Sequence, residues 1–160
     1  HSGPIKVAGE GKFYEAGLWD TAYEFRLEYT YANGVRMIVE TGGTGLRFEG
    51  SDGWVGNASW RAPLDAEPRT MLKEPIGAGE IHLYTCPDGE HRNFLDCVKS
   101  RRDPYNPVEI GHRVATIAHI GNIALLLGRS LDWDPVREEF PLDPDANRFL
   151  TRELRAPWRV

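Results

Sequence analysis

The stretch between Pro107 and Gly128, VEIGHRVATIAHIGNIALLL, constrains this chain more than any other. It reads as one long helix. Asn106 offers an N-cap, Pro107 suits the first turn, Glu109 suits the positive end of the helix dipole, and Gly128 is a natural C-cap with Arg129 beside it. The helix is apolar nearly all round, and such a helix has to be covered on most sides. The rest of the chain offers one sheet to cover it. A second covering surface is therefore expected from outside these residues.

The sheet comes from the first sixty residues. Ile5 to Ala8 is a short strand. Tyr23, Phe25, Leu27, Tyr29 and Tyr31 alternate with Glu24, Arg26, Glu28 and Thr30, the period-two pattern of a strand with one buried face. Asn33-Gly34 follows, and Val35, Met37 and Val39 resume the alternation, which predicts a hairpin. Leu46 and Phe48, then Ser51-Asp52-Gly53 before Trp54-Val55-Gly56, predict a second. Residues 61–80 read as a long loop with room for one more short strand. A first helix over His91 to Arg101, capped by Asp88 or Glu90, places Phe94, Leu95 and Val98 on one face. Residues 101–107 form a Pro-bounded loop. Leu131-Asp132-Trp133 suits a short strand, and Asp143 to Leu150 a final helix capped by Asp143 or Asp145. Strands first and helices after predict an α+β fold: one domain over 1–160, with an open, mainly antiparallel sheet and helices packed on one face.

A chain of 160 residues with 41% hydrophobic and 27% charged residues supports a packed core and excludes global disorder. A net charge of −5 argues against nucleic acid or an anionic membrane as partner. The longest apolar run, Ile123 to Leu127, is too short to span a bilayer. No basic region followed by an apolar one opens the chain, so these residues carry no export signal; cytoplasmic location is favoured, with export of a longer parent left open. His1-Ser2-Gly3-Pro4 has no initiator Met, so a natural start further upstream is expected. Cys86 and Cys97 read as free buried thiols, with one disulfide as the alternative.

Few groups nominate themselves for chemistry. Thr41-Gly42-Gly43-Thr44-Gly45 reads as a turn, because a dinucleotide loop needs Gly-x-Gly-x-x-Gly leading into a helix, and here Phe48 and a strand pattern follow. Glu109, His112, Thr116 and His119 lie three or four residues apart, in one stripe on the long helix that Asn122 extends. The stripe is either a set of structural hydrogen bonds at a domain or subunit contact, or the lining of a pocket. Glu and His three apart can share an ion, but no second ligand cluster supports a metal. His91, Arg92 and Asn93, with Asp96 one turn on, start the first helix, where they form either a solvated cap or a site for an anion or polar substrate. No Ser-His-Asp or Cys-His arrangement and no spaced carboxylate pair can be picked out. The five tryptophans suit a core, a sugar-stacking surface or an interface.

Four segments carry a resemblance: Tyr29-Thr30-Tyr31-Ala32-Asn33-Gly34-Val35; His91-Arg92-Asn93-Phe94-Leu95-Asp96-Cys97-Val98; Val108-Glu109-Ile110-Gly111-His112-Arg113 with His119-Ile120-Gly121-Asn122-Ile123-Ala124; and Arg155-Ala156-Pro157-Trp158. Taken in order, they resemble the C-terminal domain of bacterial oxidoreductases of the glucose-fructose oxidoreductase / inositol dehydrogenase family (Gfo/Idh/MocA). The resemblance implies a two-domain parent. Its upstream half would be a Rossmann domain holding NAD or NADP, and hydride would pass between the nicotinamide and a sugar, polyol or related carbonyl compound bound between the halves. The sheet domain would bind substrate and build a homo-oligomer.

Such a family carries its catalytic Lys in a Glu-Lys-Pro motif of the upstream half. Lys73-Glu74-Pro75 has the wrong order and context, so it is given no role. The family's catalytic Asp and His precede the sheet domain. This chain is therefore expected to hold no catalytic residue, cofactor site or metal, and to be inactive alone. Its substrate-binding candidates are His91, Arg92, Asn93, Glu109, His112 and His119. The upstream half would also be the second surface over the long helix, which would otherwise leave an apolar patch exposed. Two alternatives stand: a free carbohydrate-binding or assembly module, and a domain of a relative that uses NAD to cleave glycosides.

Overall fold

The computed structural model describes residues 3–82, 84–152 and 154–158. The fold is α+β. In chain order the described elements are β1 (Lys6–Phe13), β2 (Ala22–Thr30), β3 (Arg36–Glu40), β4 (Leu46–Gly50), β5 (Gly53–Asn57), β6 (Asp65–Glu67), a 3-10 turn (Arg69–Lys73), α1 (Glu90–Ser100), α2 (Val108–Leu127), β7 (Leu131–Asp132) and α3 (Pro144–Asn147). They divide into two compact units, His1–Thr41 with Val108–Val160, and Gly42–Pro107. The strands accordingly form two antiparallel sheets where the sequence pattern suggested one. β3-β2-β1-β7 belong to the first unit and β4-β5-β6 to the second. The Gly-rich segment 41–45 ends β3's run of pairing, and β4 begins a new ladder with β5.

In the first unit, the period-two pattern of β2 is realised directly. Tyr29 pairs with Val7 and Met37, and Leu27 pairs with Gly9 and Val39, so these side chains share the face that α2 covers. The opposite face alternates in charge, with Lys12 to Glu24 at 2.8 Å, Arg36 to Glu28 at 2.7 Å and Arg26 to Glu40 at 3.4 Å. Exposed pairs of this kind contribute little stability each. The hairpin between β2 and β3 uses a three-residue loop closed by Gly34, whose φ of 87° supplies the left-handed residue that such a loop needs.

Two helix boundaries differ from expectation. α1 starts after Gly89, not after a side-chain cap from Asp88, and Glu90 is its first residue. The Asn106 amide donates to the Tyr84 hydroxyl. α3 has the expected N-cap, Asp143 accepting from the Ala146 N–H at 3.0 Å, but ends at Asn147, before Leu150, where tighter turns replace it. Cys86 and Cys97 are free and half-buried, not fully buried.

The core lies in the first unit, where Val7, Tyr29, Ile120, Leu131, Trp133 and Phe140 are buried together. One tight contact in it is between β2 and α2. The Tyr29 hydroxyl donates to the Ile117 carbonyl at 3.0 Å, and a Cβ at Gly121 would collide with that hydroxyl and with Leu27. Gly121 is the gap that lets Tyr29 reach the helix backbone. Burial pushes the Tyr29 phenol up to about 12.

α2 is covered unevenly. Its buried residues run from Ile120 to Leu125, whereas Val108 (88%) and Val114 (63%) are exposed in the first half. With 20 residues and a mean hydropathy of 1.3 over its best 18-residue window, α2 is long and apolar enough to cross a membrane by length and composition alone. Its second half packs on β1 and β2. The same substitution should therefore have opposite signs at two points of this helix. A Cβ at Gly111 meets nothing, so Gly111→Ala should stabilise the chain by up to about 1 kcal/mol through helix propensity. Gly121→Ala should destabilise it by about 1–3 kcal/mol through overpacking. Urea unfolding of both variants checks the pair, and a stabilised Gly121→Ala would contradict this packing.

Candidate functional site

The stripe on α2 faces a cleft within the first unit, of about 740 Å³. His112, Thr116, His119 and Asn122 form one wall. Glu138 and the segment from Arg148 to Arg152 form the other, and the buried side chains of Ile120, Ile123 and Trp133 form the floor. Glu109, one turn before His112, does not line the cleft. It accepts from Arg113 Nε at 2.8 Å.

Arg113 organises this end of the cleft, and nothing in the sequence singled it out beyond its i,i+4 spacing from Glu109. Its guanidinium donates to Glu109 and, through Nη1, to the Pro135 carbonyl and to Glu138 Oε1, both at 3.0 Å. The same Glu138 oxygen lies 2.7 Å from His112 Nε2. Glu138 is presented from a left-handed backbone position, φ 57°, which costs a non-glycine residue on the order of 1–3 kcal/mol. The turn that holds it there is built by Asp134, which accepts from the N–H groups of Val136 (2.8 Å) and Arg137 (2.9 Å). Those two donors, Arg137 first, hold the Asp134 carboxyl below its usual range.

The far wall is anchored twice. Arg129 grips Asp143 through two bonds of 2.6 and 2.8 Å. Asn147 pairs with the backbone of Phe140 like a strand residue, accepting from its N–H and donating to its carbonyl, each at 2.8 Å. Thr116 donates its hydroxyl to the His112 carbonyl. Among the described residues, the side chains of His119 and Asn122 have no hydrogen-bond partner within the chain.

His91, Arg92 and Asn93 belong to the second unit, on the first turn of α1. Arg92 pairs with Asp96 at 3.0 Å, and Asn93 accepts from the Tyr105 N–H at 3.0 Å, tying down the loop after α1. Tyr105 stacks on Tyr84 with ring centres 5.2 Å apart and planes within 5°. His91 is exposed. Burial, with Glu90 and Asp88 nearby, pushes the Cys86 thiol up, which disfavours a reactive thiolate. Residues 41–45 lead into β4 and not into a helix, so they do not fit a dinucleotide pyrophosphate. Among the described residues no three His, Cys, Asp or Glu side chains converge as a metal site would require.

The family model described as "Oxidoreductase family, C-terminal alpha/beta domain" matches residues 4–160, and the chain belongs to that family. Among solved structures, an NAD-binding protein from Listeria innocua has the same fold with a TM-score of 0.59 at 17% identity. The match covers 82% of this chain and 46% of that one, so the chain spans about half the length of that relative. No curated protein matches it.

The far wall should be acid-sensitive. Arg129, then the Ala146 N–H, holds the Asp143 carboxyl below its usual value. A lowered carboxylate contributes stability that is fully present above its unfolded pKa, near 4, and is lost as pH falls through the folded value. Asp143→Asn should therefore flatten the fall in melting temperature below about pH 4 and lower stability at pH 7. An unchanged acid slope in thermal melts would show that the pair contributes nothing.

Proposed function

We propose that this chain is the substrate-side domain of an NAD(P)-dependent oxidoreductase acting on a sugar, polyol or related carbohydrate, with a Rossmann domain upstream as its partner. On this proposal the cofactor and the catalytic groups lie upstream, and the 160 residues are inactive alone. The observation that carries it is the uneven covering of α2. The helix is buried on the sheet from Ile120 to Leu125, yet presents exposed apolar side chains and a polar stripe from its first half. A surface of that composition suits a second domain closing over a bound substrate. The match to a family of C-terminal domains over residues 4–160, and the likeness in fold to 46% of one longer NAD-binding protein, support the same reading.

Within it, each residue has a physical task. His112 and His119 offer imidazole nitrogens to substrate, and Glu109 acts through Arg113 by fixing the guanidinium that holds Glu138. His91, Arg92 and Asn93 are proposed as a second polar group for substrate. A homo-oligomer formed through the sheet is part of the proposal, although the paired charges on the outer face of the first sheet favour a wet contact over a dry one. The competing assignment is a free carbohydrate-binding module, favoured by the half-exposed stacked pair Tyr84 and Tyr105. Glycoside cleavage by transient oxidation would use the same domain.

NAD(H) binding decides between them. Calorimetry on the 160-residue chain and on the chain extended to its natural start codon should show binding only to the longer protein. Binding to neither would remove the oxidoreductase assignment and leave the module.

A further inference from the structure

We infer that the cleft between α2 and residues 148–152 takes a small organic anion that also carries hydroxyl groups, a sugar carboxylate or a sugar phosphate. Charge and unused hydrogen bonds in the cleft point to it. Arg148 and Arg152 bring two cations to one wall. Among the described residues, Glu138 and Asp145 are the carboxylates seen beside them. Glu138 is already held by Arg113 at 3.0 Å and by His112 at 2.7 Å. Asp145 touches Arg148 only at 3.9 Å, with both side chains exposed, so that pair is weak. Among the described residues, the lining carries the two cations Arg148 and Arg152 against one carboxylate, Glu138, whose Oε1 already has two partners.

That balance separates the possible ligands. The hydroxyls of a neutral sugar donate, and carboxylates, which only accept, suit them well. Among the described lining residues the one carboxylate, Glu138, already has its Oε1 engaged by Arg113 and His112, which leaves only Oε2 for such a donor. A carboxylate or phosphate on the ligand instead meets two guanidinium groups, whose fork geometry fits both anions and whose charge strengthens the bonds. His119 and Asn122, across the cleft, have side chains without partners among the described residues and can both donate to and accept from hydroxyls. The apolar floor of Ile123 and Trp133 and a volume of about 740 Å³ lie within the usual range of small-ligand sites, with room for a single sugar and its anionic group.

As a claim about substrate class, this rests on the oxidoreductase proposal; as a claim about binding, it stands on the cleft alone. The test follows the imidazole resonances of His112 and His119 in the chain extended to its natural start codon, at fixed ionic strength. D-gluconate, D-glucose 6-phosphate, D-glucose and inorganic phosphate are added in turn. Saturable shifts at both histidines are expected with gluconate or glucose 6-phosphate, and whichever binds more tightly identifies the anion. Arg148→Gln with Arg152→Gln should weaken that binding about tenfold or more, as loss of charge-assisted bonds does. Both arginines are exposed, so the fold should survive, and the unchanged His82 resonance and melting temperature verify it. Glucose binding as tightly as gluconate, inorganic phosphate binding as tightly as either organic anion, or no shift with any probe would each overturn the inference. NAD(H) binding without anion binding would sink the cleft and spare the oxidoreductase proposal. Anion binding without NAD(H) binding would do the reverse.

Discussion

Everything in the first unit depends on the contact between Tyr29 and α2 at Gly121. A tyrosine on a central strand is too long to lie flat under a helix unless the helix lacks a side chain at that point. Gly121 provides the gap. The hydroxyl then satisfies itself on the Ile117 carbonyl, so a polar group enters the core without an unpaired donor. This crossing sets how closely α2 can approach β2, alongside the helix's packing on β1. With Ile120, Ile123 and Ala124 turned to the core, the rotation of α2 about its axis sends His119 and Asn122 to the opposite wall.

The cleft follows from that rotation and from two short-range devices beyond the helix. Gly128 ends α2 in a left-handed conformation, and the chain returns through β7 to place Trp133 under the cleft, edge-on to Phe140 at 4.9 Å. The Asp134 turn then lifts Glu138 to the start of the stripe, and the Arg129–Asp143 pair holds the final wall. Polar groups inside the cleft thus divide into two kinds. Glu138 is bound to the Nε2 of His112 and to Arg113, which lies outside the lining, and these bonds give shape while the Nδ1 of His112 is left over. His119, Asn122 and the two arginines have bonding capacity to spare, and a ligand can use it.

Much of the fold was legible in the sequence because it follows from periodicity and from turn chemistry. The alternation from Tyr23 to Tyr31, the Asn33-Gly34 hairpin, the Ser51-Asp52-Gly53 hairpin and the helix ending at Gly128 all appear where local patterns put them. The division into two sheets was not legible, since alternation says which face is buried but not which strands are neighbours. The stripe from His112 to Asn122 was visible as spacing, and the structure turns it towards a cleft. Its partners were not visible. Glu138 meets His112 across 26 positions, and Arg148 and Arg152 reach the cleft only after the chain has turned twice. Long-range meetings of this kind leave no local trace. The separate group His91, Arg92 and Asn93 shows the converse: the spacing was plain, yet Arg92 and Asn93 spend their bonds within their own unit.

The central claim is that α2 is a helix with two different coverings, the sheet over its second half and an upstream domain over its first. Amide hydrogen exchange along α2, in the 160-residue chain and in the chain extended to its natural start codon, measures this residue by residue. The account predicts strong protection from Ile120 to Leu127 in both proteins, with the amides from Gly111 to His119 gaining protection only in the longer one. Equal protection of the first half in both proteins would contradict it, because nothing upstream would then be covering the helix.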